Sequence, residues 1–485
     1  MTLTSLIEDL GHQLPSHCLV TDPAELSMYD CDGLASYRVQ PGLVVLADSV
    51  EHVHTVILGC AHHHVPFVAR GSGTGLSGGA LPHADGVLLV TSRLRTIHEI
   101  EAADQRAVVD PGVINLYVSK TANPEGYYFA PDPSSQRICS IGGNVAENAG
   151  GAHCLKYGFT TNHVLSVDVV IPDGTEVTFG TSAPDAPGYD LVGAFVGSEG
   201  TLGVSTRTTV RPVRLPEDVV TVLAVFAGTD EAGAATSAVI AAGIMPAAIE
   251  VMDALAIEAA EAAAAWGYPE GAGAVLLVEV DGPAEEVAEE LAEVKRICSA
   301  AGAIEIREAT DPPDRAAIWR GRKSAFAAVG HLSADYLVQD GVVPRTELAQ
   351  VLREMAELAG QRGLRVANVF HAGDGNLHPL ILFDSAKPGE TELAEELAGD
   401  ILLLCLRHGG SITGEHGVGA DKARFMPKMF TEDDLDTMQM LRCAFDPAGI
   451  ANPGKIYPMP RLCGERPGRR TGPHPLQEAG LGEVF

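Results

Sequence analysis

Hydrophobic positions change their spacing along this chain, and the changes predict its elements. Leu3, Leu6, Ile7 and Leu10 recur at helical spacing among polar and acidic residues. That period predicts an amphipathic helix, and a start with acids but no basic region is unlike a signal peptide. Further on, the apolar residues come in short runs: LVVLA (43–47), PFVA (66–69), GVLLVT (86–91), AVVDPG (107–112) and VLSVDVVIP (164–172). Each is of strand length and bounded by loop residues, so this part is predicted to be β-rich with little long helix. After 215, the apolar runs VVTVLAVFA (219–227) and AVLLVEV (274–280) alternate with Ala/Glu-rich helical stretches at 230–242 and 283–300. Strand–helix–helix–strand order predicts an antiparallel sheet with helices on one face. Residues 435–458 read as a helix stopped by proline and glycine, and 459–485, rich in Pro, Gly and Arg, as a disordered tail. The expected organisation is a helical lead-in at 1–37, a first domain at 38–215, a second at 216–458 and the tail, in an α+β fold.

Composition narrows the possibilities. A hydrophobic share of 46% with 20% charged residues suits a globular chain with a large core. Acids outnumber bases 64 to 33, a net charge of −31, which argues against nucleic acid or an anionic membrane as partner. An anionic substrate would need a local cationic site. No apolar run reaches the ~18 residues of a membrane span. The nine cysteines form no CxxC and no four-cysteine iron–sulfur motif, so reduced thiols and a cytoplasmic location are expected. Any membrane association would then be made through a partner.

The 53 glycines cluster in loops. The first, RGSGTGLSGGA (70–80), contains Gly73-x-Gly75-x-x-Gly78, with Glu99 downstream. A dinucleotide fingerprint would need a helix to begin at these glycines. Pro82, His83 and another β-run follow instead, and no Lys-Ser/Thr pair completes a phosphate loop of the Walker type. A strand–loop–strand can still cradle a diphosphate through successive backbone N–H groups. Two more polar glycine-rich stretches follow, PDPSSQRICSIGGNVAENAGGAHCLKYG (131–158) and GSEGTLGV (197–204). Three such loops suggest an extended ligand of dinucleotide length.

Together, ARGSGTGLSGG, PDPSSQRICSIGGNVAENAGG, KYG and GSEGTLGV resemble the FAD-binding domain of the vanillyl-alcohol oxidase / p-cresol methylhydroxylase (PCMH) superfamily. The resemblance runs over roughly residues 20–458, and the later motifs resemble the branch with glycolate oxidase flavoprotein subunits, D-lactate dehydrogenases and D-2-hydroxyglutarate dehydrogenases. It implies a PCMH-type FAD-binding domain followed by an antiparallel, ferredoxin-like FAD-linked oxidase C-terminal domain. It implicates Gly71, Ser72, Gly73, Thr74, Gly75 and Leu76 in holding the FAD diphosphate. For the rest of the cofactor it implicates Asp132, Ser135, Gly142, Gly143, Asn144, Gly151, Tyr157, Gly158, Glu199, Gly200, Val204 and, in FDPAGIANPGKIYP, Asn452. Some members bond flavin covalently through a histidine in the first loop. This loop has none, so non-covalent FAD is expected.

In VANVFHAGDGNLHPLILF (366–383), His371 ends one β-run and His378 begins the next, with a turn between. A hairpin would bring both imidazoles to one end. Glu415 and His416 sit among glycines in GGSITGEHGVGADK (409–422). Two histidines and a carboxylate suit a catalytic divalent metal with an open position, zinc or manganese. The resemblance implies the same ligands, His371, His378 and Glu415, and makes His416 the general base. By contrast, His62, His63 and His64 are expected to be a solvated run without a carboxylate partner.

Arg320, Arg322 and Lys323 concentrate positive charge in WRGRKSAF (319–326), as a carboxylate clamp or as a solvated helix face. The resemblance aligns Arg322 with an arginine for the substrate carboxylate. Phe326 and Val338 stand where the hydroxyglutarate-type pattern has Thr and Lys, which favours a small or apolar 2-hydroxy acid. The expected activity is FAD-dependent, metal-assisted oxidation of a D-2-hydroxy acid of glycolate or D-lactate type. The alternative is a flavin-binding electron-transfer subunit that needs an iron–sulfur partner. Either way an external electron acceptor (a quinone, an electron-transfer protein or an iron–sulfur subunit) is expected, and a homodimer is the oligomer considered.

Overall fold

The structure is a computed structural model that describes residues 2–183, 187–264 and 266–458. The expected tail at 459–485 lies outside the described residues. The amphipathic start forms the helix Leu3–Gln13, capped by the Thr2 side chain, which accepts from Ser5 N. Its Leu6 and Leu10 pack on Val53, Val56 and Ile57 of the helix Val50–His63. The two helices approach closely because Gly59 has no side chain: a Cβ there would lie 2.7 Å from Leu6 Cδ1.

Val50–His63 is a long helix in a part expected to have little. Its apolar residues Val53, Val56, Ile57 and Cys60 do follow the helical period, but histidines fill the gaps. It is the crossover between Leu43–Leu46 and Phe67–Arg70, both of which pair in parallel with Val87–Val90. Leu19–Val20 adds an antiparallel edge strand, so the lead-in is part of the first sheet. The expectation of three solvated histidines is corrected at one position. His63 is buried against the first helix, with Nε2 2.7 Å from Asp9 Oδ2.

A second, antiparallel sheet runs in the order Ile97–Glu101, Arg106–Val109, Val204–Val210, Val164–Val170, Glu176–Gly180. The first glycine loop leaves Phe67–Arg70 without forming a helix, as Pro82 and the β-run after it predict.

The largest sheet is antiparallel and centred on Asp218–Phe226, Ala274–Gly282, Ala248–Asp253 and Arg365–His371. Its helices cover both faces, which corrects the one-face expectation. Val222, Ala224 and Phe226 pack with Thr229–Ala241, Ala284–Ala300, Leu348–Gln361 and Glu390–Arg407. The alternate residues Leu223 and Val225 pack with Ala254–Ala263 and Pro312–Ala328. A continuous apolar strand, rather than an alternating one, is what burial on both faces requires. Truncating the fully buried Phe226 to Ala would cost about 3–5 kcal/mol.

After the helix Glu432–Phe445 the chain returns to the first sheet. Phe67 N donates to Ile450 O at 2.9 Å, and Asn452 N donates to Phe67 O at 2.8 Å. Seven described cysteines (Cys18, Cys31, Cys60, Cys139, Cys154, Cys298 and Cys405) are free. Cys443 is disulfide-bonded, which corrects the expectation of reduced thiols at that position. No helix among the described residues is long and apolar enough to cross a membrane.

Candidate active site

A cavity of about 1110 Å³ lies between the glycine loops and the second domain. That exceeds the usual few-hundred-Å³ size of a small-ligand pocket. Of the residues expected to hold FAD, Gly71, Ser72, Gly73, Thr74, Gly75, Leu76, Ser135, Gly142, Gly143, Asn144, Glu199, Gly200 and Val204 line it. Their glycines keep the walls close: a Cβ on Gly71 would lie 2.1 Å from Ser140 Oγ, and one on Gly142 2.6 Å from Pro111 Cβ. Backbone N–H groups of a Gly-rich wall suit an anionic diphosphate, so the loops fit a dinucleotide cofactor.

Five expected residues lie off the cavity wall. Tyr157 reaches across to the second domain, where its hydroxyl donates to Asp281 Oδ2 at 2.6 Å. Asp132 pairs with His153, its Oδ1 3.0 Å from Nδ1. Gly151 has φ +144° and packs on the Asp132 backbone, where a Cβ would come within 2.5 Å. Gly158, at φ +83°, turns the chain against Asn162. Asn452 is buried behind the wall and donates to Gly79 O at 2.8 Å and Glu199 O at 2.5 Å, tying the returning segment to two glycine loops.

At one end of the cavity the two domains bring their chemistry together. His371 ends Arg365–His371 and pairs in register with Asn376, so the hairpin turns within four residues and delivers His378 beside it. The two rings meet edge to face with centroids 5.0 Å apart. Glu415 Oε1 lies 3.4 Å from His371 Nε2 and 3.2 Å from His378 Nε2. Their donor atoms can all lie within 4.8 Å of one another. His371 Nε2, His378 Nδ1 and Glu415 Oε2 are buried without a hydrogen-bond partner. Unpaired buried donors and acceptors are costly, so this set fits a divalent cation. Burial would raise the Glu415 carboxyl, but the two imidazoles facing it hold it well below the usual carboxylate range.

His378, Glu415 and His416 line the cavity, and His371 stands behind them. His416 stacks on His378, its Nε2 3.9 Å from Glu415 Oε1. Burial lowers its pKa to about 4, which leaves the imidazole neutral at neutral pH. Asp340 fixes the loop that carries it. Its Oδ2 accepts from Thr413 Oγ1 at 2.6 Å, Gly414 N at 3.0 Å and His416 N at 3.0 Å, and Lys422 Nζ lies 3.1 Å away. From the first domain, Glu199 accepts from Val418 N at 2.7 Å and Gly419 N at 2.8 Å. Burial raises Glu199 to about 7, and burial with the neighbouring Glu199 charge raises Glu147 well above its usual range.

Arg322 projects from Pro312–Ala328 and is 3% exposed. It lies one layer behind the wall, its guanidinium carbon 5.8 Å from the ring of Phe326, which lines the cavity. Its Nη2 is 2.5 Å from Glu250 Oε2. Lys323 lines the cavity, and Arg320 is exposed. Val338 and Leu337 complete an apolar wall with Phe326.

The residue-by-residue reading missed Glu250, Asp340 and Lys422. Glu250 and Asp340 lie in or beside β-runs with no local motif, so only the tertiary pairing singles them out. It also missed a clasp between the domains. His153 stacks on Trp319 with centroids 5.6 Å apart and bridges Asp132 and Glu279. Trp319 Nε1 donates to Glu279 Oε2 at 2.6 Å. A charged pair of runs, HCLK and WRGRK, was the available signal.

The chain resembles known proteins over most of its length. The family described as FAD binding domain matches residues 41–180, and the one described as FAD linked oxidases, C-terminal domain, matches 215–456. The chain is 49% identical over 462 residues to the glycolate oxidase subunit GlcD of Escherichia coli (strain K12), covering 95% of this chain and 93% of that protein. It is 37% identical to the GlcD subunit of Bacillus subtilis over 89% of this chain and 92% of that one. To the D-lactate dehydrogenase of Archaeoglobus fulgidus it is 33% identical, over 85% of this chain and 91% of that protein. Among solved structures, p-cresol methylhydroxylase with substrate bound shares the fold with a TM-score of 0.77 at 16% identity, covering 93% of this chain and 96% of that one.

Proposed function

This chain belongs to the FAD-linked oxidases, and from that membership we propose that it oxidises a small D-2-hydroxy acid, of glycolate or D-lactate type, to the 2-oxo acid. The observation that carries the reading is the shared cavity: His378, Glu415 and His416 line the same space as the glycine loops. FAD, held without a covalent bond by the loops at 71–76, 142–144 and 199–204, would take the hydride equivalent from the substrate carbon. A divalent ion, zinc or manganese, on His371, His378 and Glu415 would supply Lewis acidity toward the 2-hydroxyl.

The chain's own residues do the rest. His416 Nε2, on the side of the imidazole facing Glu415, accepts the hydroxyl proton, work that suits a neutral histidine. Asp340 and Glu199 hold the loop so that this nitrogen stays at the cavity end. Lys323 on the wall and Arg322 behind it draw the substrate carboxylate, which the chain's overall negative charge would otherwise repel. Phe326, Leu337 and Val338 make this part of the wall apolar, which favours a small substrate without a distal carboxylate.

The Escherichia coli relative is described as a subunit. For this chain too an external acceptor would take the electrons from FAD: a quinone, an electron-transfer protein or an iron–sulfur subunit. The test is dye-linked turnover of glycolate, D-lactate and L-lactate by the FAD-loaded chain, before and after dialysis against a chelator. Turnover of glycolate or the D-enantiomer that is lost on chelation and restored by zinc or manganese is expected. Full turnover without bound metal would remove the metal from the proposal, and turnover of L-lactate alone would overturn the D-assignment.

A further inference from the structure

Glu250 lies in the strand Ala248–Asp253 and is 1% exposed. A carboxylate buried so deeply is costly unless it is paired on both oxygens. It makes two ion pairs, with groups from two different elements. Glu250 is the register partner of His371 across the sheet, and its Oε1 lies 2.6 Å from His371 Nδ1. Its Oε2 lies 2.5 Å from Arg322 Nη2, on the helix above.

Each pairing has a chemical consequence. An ionised carboxylate only accepts, so the proton of His371 must sit on Nδ1. That leaves the Nε2 lone pair free, 3.4 Å from Glu415 Oε1 and without a hydrogen-bond partner. A histidine ligand whose far nitrogen is bonded to a carboxylate is held in one orientation and made more basic. The second oxygen fixes the guanidinium of Arg322, whose Nε is buried and has no partner.

We propose that Glu250 is a positioning residue shared by both halves of the active centre: it holds His371 in the tautomer that offers Nε2 to a divalent metal, and it holds Arg322 in place for the substrate carboxylate. The inference rests on the metal and carboxylate roles given under Proposed function. It makes a distinctive demand. Altering Glu250 moves both metal and carboxylate binding, whereas altering His371 moves the metal and altering Arg322 moves the carboxylate.

The experiment uses the full FAD-loaded chain and two readouts other than turnover. Zinc affinity is measured by equilibrium dialysis. Binding of pyruvate, a non-reacting 2-oxo acid, is followed by the change in flavin absorption. Parent, Glu250→Gln, His371→Ala and Arg322→Met are compared at full flavin occupancy and parent-like circular dichroism. Glu250→Gln is expected to weaken zinc by roughly 10–100-fold and to weaken pyruvate as well. Zinc affinity within twofold of the parent in Glu250→Gln, with His371→Ala unable to bind zinc, would overturn the inference and leave the metal site standing. Parent-like zinc binding by His371→Ala would overturn the metal reading itself, and this inference with it. Glu250→Asp is the second variant should the amide not fold. Aspartate is too short to span both partners, so at least one of the two affinities falls; parent-like values for both would overturn the inference.

Discussion

The imidazoles of His378 and His416 stack face to face, with centroids 5.0 Å apart and planes within 9° of parallel. One ring belongs to the hairpin of the large sheet and the other to the glycine-rich loop at 409–422. The contact joins a proposed metal ligand to the proposed base. Both line the cavity that the glycine loops of the first domain enclose.

His416→Ala is expected to leave FAD bound, because the glycine loops that hold it belong to the first domain. Flavin reduction by substrate should slow by about 10²–10⁴-fold, the usual contribution of a positioned base. Stopped-flow absorbance checks this. Reduction at the parent rate would remove His416 from the chemistry.

Glu415→Gln replaces an anionic donor with a neutral amide between two imidazoles. Bound zinc or manganese, measured by elemental analysis of the dialysed protein, should drop from stoichiometric to trace while flavin content stays unchanged. Unchanged metal content would show that the ion, if one binds, sits elsewhere.

Acid precipitation should release the flavin into the supernatant. The first loop offers Thr74 and its glycine and serine neighbours, none of which can form a histidyl link. Flavin that stays in the pellet would contradict this.

The clasp between the domains should make stability depend on pH. Burial alone would lower the His153 pKa, but the charges of Asp132 and Glu279 outweigh it and raise it to about 10. The unfolded value is 6.5. Between these values the folded chain holds a proton that the unfolded chain has lost. The stabilisation is therefore complete below 6.5 and declines as pH rises towards about 10. The melting temperature of the parent should fall over that window more steeply than that of His153→Phe. Parallel curves would mean that His153 is neutral in the folded state.

Much of this was legible in the residues because the signals are local. The glycine loops, the two histidines flanking AGDGN and the GEHG motif each sit within a few positions of one another. The apolar strands at 219–227 and 274–280 also stand out, and their unbroken hydrophobicity already implied burial on both faces, contrary to the one-face expectation. The helix Val50–His63 escaped because His52, His54 and His62 occupy its polar face and blur the period. Its residue His63 then turned out to be buried against Asp9, an interaction that spans 54 positions. Glu250, Asp340 and the His153 clasp were hidden for the same reason. Each has a partner at least 75 residues distant, and no spacing rule reaches that far.

The central claim is that flavin and a 2-hydroxy acid meet in one cavity, and a visible absorption spectrum tests it most directly. The purified, FAD-loaded and zinc-supplemented protein is scanned anaerobically before and after addition of D-lactate or glycolate. The account predicts a flavin band that bleaches with at least one of them. A flavin band that persists with both would contradict it.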